Sequence, residues 1–178
     1  MQGGSRCVDN FFLPAYQWLS QQMRIRVGSP PTNDALPVWA WYQWQGKKKN
    51  KPDLRSGGHL PKGERGVRLE LEVGDHRVLL SDFELWHYVL NYWYLPLSEE
   101  DGETFEATLE QHALSFFQTK PLPDPKFHQV IVSSWQCIFD ISWSAKGITR
   151  PRKEKSIQAI LWEIRLEDVR SVQEFVAK

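Results

Sequence analysis

The sequence predicts an α+β fold: a single domain in which a small mixed or antiparallel sheet of about five strands is packed by three to four helices. Three observations carry this expectation. Val67, Leu69, Leu71 and Val73 alternate with Arg68, Glu70 and Glu72, the period of two of a half-buried strand. Trp86, Val89, Leu90 and Trp93 recur at i, i+3, i+4 and i+7, the apolar stripe of an amphipathic helix. Ile157 to Ile164 is apolar on both faces apart from Gln158 and Glu163, as in a central strand.

Composition sets the bounds. A chain of 178 residues is long enough for one domain with a substantial core. Hydrophobic residues make up 41% and aromatics 13%, with nine tryptophans, so the chain is expected to fold rather than stay disordered. Lysine plus arginine and aspartate plus glutamate number 22 each, so overall charge argues for neither a nucleic-acid nor a membrane partner. Any such case rests on local patches. Cys7 and Cys137 form neither a CxxC pair nor a disulfide framework, which suits a reduced, cytoplasmic setting. No run resembles a signal peptide or approaches the ~20 apolar residues of a membrane span.

In chain order, residues 1–10 are polar and are expected to be loose, without fixed structure. Pro14 suits the first turn of a helix running to about Met23, with Phe12, Tyr16, Leu19 and Met23 on one face. Gly28 to Pro31 ends it. Val38 to Gln45 reads as an aromatic-rich strand. Strict alternation sends Trp39, Trp41, Gln43 and Gln45 to one side and Val38, Ala40, Tyr42 and Trp44 to the other. The first set would make a stacking wall with hydrogen-bonding ends; alternatively both faces are buried core. Residues 46–66 form a long basic loop, with Lys47, Lys48, Lys49, Lys51 and Arg55. Beside Trp44 and Tyr42 it suits either a phosphate-plus-stacking surface for single-stranded nucleic acid or a solvated loop.

After the strand ending at Val73, Gly74 to His76 supplies a turn, and Val78 to Leu80 a return strand that completes a hairpin. Glu70 and Glu72 are placed on the solvated side. Ser81 and Glu84 have capping-box spacing, and the helix they open packs its tryptophan stripe on the hairpin. A second helix face carries Phe83, His87, Asn91 and Tyr94, with His87 a candidate acid or base and Asn91 its orienting group. Pro96 closes the helix. Glu103 to about Phe117 forms another, with Phe105, Leu109, His112, Ala113 and Phe116 along one side. Asp124 and Pro125 make an N-cap and N1 pair for a helix to about Phe139, burying Phe127, Ile131, Trp135 and Ile138. Residues 144–155 are a second basic loop, with Lys146, Arg150, Arg152, Lys153 and Lys155. A short turn at Leu166 to Val169 leads to a last strand, Val172 to Val176.

Catalytic motifs are missing from the sequence: there is no Walker loop, GxGxxG, HExxH or GxSxG. His59, His76, His87, His112 and His128 lack metal-ligand spacing, so no metal is expected. Resemblance adds one thing. Pro37 to Trp44, Pro52-Asp53-Leu54-Arg55, Leu80 to Asn91 and Ile157 to Ile164, from about Ala15 to the C-terminus, resemble domain-of-unknown-function family 3841. The resemblance implies a small bacterial cytoplasmic protein with an α+β fold and no established activity. Members carry an extra strand-like stretch before the first helix that residues 1–10 do not match, so the chain is expected to be shortened there.

Two functions of different class follow. One is a binding module for a small molecule, nucleotide or nucleic acid, with Trp39, Trp41, Gln43, Arg55, His87, Asn91 and Gln158 as ligand-binding residues and Lys47, Lys48 and Lys49 attracting phosphate. The other is an NAD-dependent enzyme of ADP-ribosyltransferase type, with NAD as cosubstrate. In it Glu163 would stabilise an oxocarbenium charge and Gln158 would orient substrate. His87 and Glu163 are the catalytic candidates. In a regular strand Gln158 and Glu163 point to opposite faces, which counts against that version. A protein–protein interaction domain is the third reading.

Overall fold

A computed structural model describes residues 12–48, 51–57, 59–115 and 119–178. The expectations for residues 1–10, Lys49, Phe116 and Phe117 lie outside the described residues. The fold is α+β, with four α-helices and antiparallel strand pairing throughout the described residues. The strands form two sheets instead of one. Strands β1 (Val38–Trp44), β2 (Lys47–Lys48), β4 (Leu79–Asp82) and β5 (Ile157–Leu161) make a sheet of order β2-β1-β5-β4. Strands β3 (Arg65–Leu71) and β6 (Val169–Val176) make a separate two-stranded ribbon. As expected, the doubly apolar β5 is central in its sheet.

The expected hairpin does not form. β3 and β4 stand in different sheets, joined by a 3₁₀ turn over Asp75–Arg77. The reason is a long-range ion pair. Arg77 donates from Nη1 to Asp168 Oδ1 at 2.7 Å and from Nη2 to Oδ2 at 3.0 Å, tying the turn to the start of β6. The Glu72 amide adds a bond to Asp168 O at 2.8 Å, so β6, not β4, becomes the partner of β3. The ribbon also reverses the expected burial. Val67 is 55% and Leu69 42% exposed, while Glu70 on the other face binds Lys51.

Four helices cover one face of the sheet: α1 (Leu13–Arg26), α2 (Phe83–Leu90), α3 (Glu99–Gln111) and α4 (Pro125–Ser134), the last continued by a 3₁₀ turn over Trp135–Phe139. Leu19, Met23, Leu85, Leu95, Ile131, Ile138 and Ile160 are fully buried in the core between them. Four tryptophans belong to that core as well, Trp18, Trp86, Trp135 and Trp162. Their indole nitrogens find partners where burial demands it: Trp135 Nε1 donates to Trp93 O at 2.7 Å and Trp162 Nε1 to Gly28 O at 2.8 Å. Among the described residues no helix is long and apolar enough to cross a membrane.

The caps test the local reading. Asp124 accepts from the Lys126 amide at 2.8 Å, and Pro125 opens α4 as expected. At α2 the cap is Asp82, one residue beyond the expected Ser81; its Oδ1 accepts from the amides of Glu84 at 3.0 Å and Leu85 at 3.4 Å. Ser98 caps α3 and starts it four residues before Glu103, and the helix ends at Gln111, ahead of Phe117. α2 stops at Leu90, so Trp93 falls outside the helix and is 39% exposed.

Candidate functional site

One irregularity in β1 rearranges its side chains. Trp41 opposes Gln158 and Gln43 opposes Ile157, so two steps along β1 match a single step along β5. Such a bulge shifts every later residue to the other face of the sheet. Gln43 therefore leaves the Trp39/Trp41 face, where alternation had placed it, and Trp44 joins that face instead. The rings record the result. Trp44 meets Trp41 edge-to-face with centroids 4.6 Å apart. Trp41 then meets Phe83 at 5.0 Å, and Phe83 meets His87 at 5.1 Å, both edge-to-face. Each contact lies within the favourable range for aromatic pairs and contributes ~0.5–1.5 kcal/mol. The outcome is a ladder of four rings crossing from β1 onto α2, with Trp44, Trp41 and Phe83 half-buried and His87 exposed.

Beneath the ladder lies a polar strip. Cross-strand partners share a face, and Trp41, Gln158 and Ser81 are partners across three strands. Trp39, two residues along β1, packs its ring on Trp86 at 5.1 Å. Among the described residues, four buried side-chain polar atoms have no hydrogen-bond partner. Three belong to this strip: Trp39 Nε1, a donor; Gln158 Oε1, an acceptor; and Ser81 Oγ, which can act as either. An unmade buried hydrogen bond costs ~1–3 kcal/mol, so three on one sheet face mark it as unusual.

The opposite face is closed by a satisfied network. Asp82 Oδ2 accepts from Thr149 Oγ1 at 2.7 Å and pairs with Lys155 Nζ at 2.9 Å. Lys155 Nζ also donates to Trp143 O at 2.7 Å, and both charged side chains are almost completely buried. The displaced Gln43 finds its use here, donating from Nε2 to Arg152 O at 2.7 Å and Lys155 O at 2.8 Å. Gly46, at φ +73°, sends its amide to Lys155 O at 2.9 Å; a Cβ there would lie 2.4 Å from Lys153 O. These contacts hold the 3₁₀ turn Arg152–Glu154 against β2. Two basic segments more than a hundred residues apart in sequence thus meet at one end of the sheet. Lys47, the register partner of Trp44, and Lys48 belong to one segment, and exposed Arg152, Lys153 and Glu154 belong to the other.

The ladder, the strip and the basic end are built from the stretches that a family model matches: it covers residues 5–170. The chain belongs to the family described as Domain of unknown function (DUF3841). The match begins ten residues ahead of Ala15 and stops at 170, short of the C-terminal residues that the motifs alone had included. No curated protein and no solved structure matches the chain.

Other residues singled out in this DUF3841 chain are dispersed. Asn91 does not orient His87: its Nδ2 donates to the His87 backbone carbonyl at 2.8 Å. His87 Nδ1 lies 3.2 Å from the carbonyls of both Phe83 and Glu84, so in the neutral ring that nitrogen carries the proton and Nε2 is the acceptor. Glu163 follows the end of β5 and binds Arg165 Nε at 2.7 Å, away from Gln158 on the ladder face. Arg55 sits in a distant turn, bound to Asp53, whose carboxyl the guanidinium holds down at about 2. Among the described residues no group of three His, Cys, Asp or Glu side chains could hold a metal. Sequence reasoning passed over Phe83 as part of the wall and Lys155 as a buried group, and it set Trp44 beside the basic loop but on the face away from Trp41. Phe83 was legible, since it sits one helical turn before His87.

Proposed function

We propose that this protein is a binding module for single-stranded nucleic acid. The observation that carries the reading is the joining of the Trp44–Trp41–Phe83–His87 ladder to the basic end of the sheet at Trp44 and Lys47. Non-sequence-specific single-strand binders combine these two parts: aromatic rings on which bases stack and a cationic track for the backbone. Half-buried rings are fixed before binding, so little side-chain freedom is lost on stacking. The polar strip of Trp39, Ser81 and Gln158 is buried beneath the rings, so in this reading it supports the ladder and takes no part in base contact.

The test is fluorescence anisotropy of labelled single-stranded DNA and RNA oligonucleotides of mixed sequence. Trp44 touches the ladder at its end, through Trp41, so Trp44→Ala removes a platform with little cost to the core. Stacking is worth ~1–3 kcal/mol per base, so Trp44→Ala is expected to weaken binding by about 5–150-fold, while loss of its one ring contact lowers the melting temperature by only ~1–6 °C. Equal affinity for wild type and Trp44→Ala, or no affinity at low salt, would end the reading.

A further inference from the structure

The fourth unpartnered buried atom lies outside the ladder. Arg68 Nε has no partner among the described residues, and Arg68 lines a groove of about 620 Å³ between the turn after Lys51 and the β3–β6 ribbon. Its size is that of a small-molecule pocket. The walls are fixed in advance. Asp53 Oδ1 accepts from Arg55 N and Nε and its Oδ2 from Nη2, closing the turn on itself, while the Lys178 amide donates to Arg55 O at 2.8 Å and ties the turn to the strand end. The floor depends on Gly66: a Cβ there would sit 2.5 Å from the ring of Phe175, which lies on the bare backbone.

The charge pattern of the ribbon identifies what the groove lacks. Arg65 is paired with Glu174 at 3.1 Å, and Arg170 with Glu72 at 2.7 Å. Across from Arg68 stands a neutral amide: Arg68 Nη2 donates to Gln173 Oε1 at 2.5 Å. Two other cations of the groove are neutralised, Lys51 by Glu70 and Arg55 by Asp53, while Lys178 also lines it. Arg68 is half-buried, faces the groove, and has no carboxylate in ion-pair reach among the described residues. A guanidinium presents a planar fork of donors suited to carboxylate or phosphate, and it binds such groups most strongly when no internal counter-ion competes.

We infer that this groove binds a small oxyanion-bearing molecule, with Arg68 as its anion-recognising residue, Gln173 holding the guanidinium without neutralising it, and Phe175 supplying an apolar wall. The site goes beyond the nucleic-acid reading and uses none of its residues.

Isothermal titration at low salt with inorganic phosphate and with malonate tests it. At least one is expected to bind with a dissociation constant of about 1 mM or tighter. Phosphate preference assigns the site to phosphorylated ligands, and malonate preference to carboxylates. Gln173→Glu supplies a counter-ion of the same size, so the fold is retained while affinity falls at least about tenfold, equivalent to about 1.4 kcal/mol. Arg68→Gln gives the same loss by removing the cation. Binding that survives both substitutions belongs elsewhere and overturns the assignment, as does the absence of binding by either anion.

Discussion

Replacing Lys155 by methionine examines the buried network that brings the basic segments together. Methionine keeps the length of the apolar stem but removes the ammonium, leaving Asp82, fully buried, without a counter-charge. The carboxylate keeps three donors, the amides of Glu84 and Leu85 and the Thr149 hydroxyl, so its desolvation is only partly offset. Trp143 O loses its donor as well. Breaking a buried pair from one side costs ~3–5 kcal/mol, a large share of the ~5–15 kcal/mol of a whole domain. At ~2–4 °C per kcal/mol for a chain of this size, the melting temperature should fall by ~6–20 °C. Urea unfolding followed by circular dichroism measures the loss directly. Asp82→Asn in the Lys155→Met background retains the helix cap while removing the stranded charge, so the double variant should lose less than the sum of the singles. A loss under about 1 kcal/mol for Lys155→Met would refute the reasoning, because it would mean the pair is not buried as described.

Other expectations concern the ribbon and the turn. Hydrogen bonds from Arg77, then from the Arg165 amide, hold the Asp168 carboxyl below its ordinary 3.8. A depressed folded-state value means the unfolded chain binds more protons, so this stabilisation is full above about pH 4 and is lost as pH falls through the folded value. Thermal melts from pH 7 to 3 should show it, with Arg77→Met less stable at pH 7 and less sensitive to acid; an unchanged pH slope would contradict the assignment. Gly46→Ala meets both a positive φ and the Lys153 carbonyl, so it should cost at least about 1 kcal/mol in denaturant unfolding. It should also weaken oligonucleotide binding, since it parts the two basic segments; normal stability would show that the close approach at Gly46 is not rigid.

How far the sequence carried depended on whether the deciding interaction was local. α4 was legible because its cap pair Asp124 and Pro125 and its buried Ile131 are local to it, with Trp135 and Ile138 continuing the stripe into the 3₁₀ turn that follows. β5 was legible from apolarity on both faces. The hairpin was not, because its turn residues are equally compatible with a 3₁₀ connection, and the choice falls to Arg77 and Asp168, 91 residues apart. The face of Gln43 was misread because alternation assumes a period of two, which one bulge breaks without any glycine or proline to announce it. Ser81 and Asp82 are both good caps, and the sheet register decided between them. Lys155 looks like its basic neighbours in sequence; only the carboxylate placed opposite it makes it a core residue. Trp41 and His87 stand in the ladder and Gln158 in the strip beneath it, while Trp44 joins them only through the bulge.

The most direct test of the central claim is the salt dependence of single-stranded oligonucleotide binding. Lys47 and Lys48 of β2 and exposed Arg152 and Lys153 of the 3₁₀ turn are the basic residues of the two segments that meet at this end. If two to four of them neutralise phosphates, log affinity should fall against log salt with a slope of about −1.4 to −2.8, at ~0.7 per contact for single strands. Arg152→Ala should make that slope shallower by ~0.7 while leaving the fold intact, because Gln43 binds the Arg152 backbone carbonyl and not its side chain. A slope near zero, or one that Arg152→Ala leaves unchanged, would contradict a phosphate track at this end of the sheet.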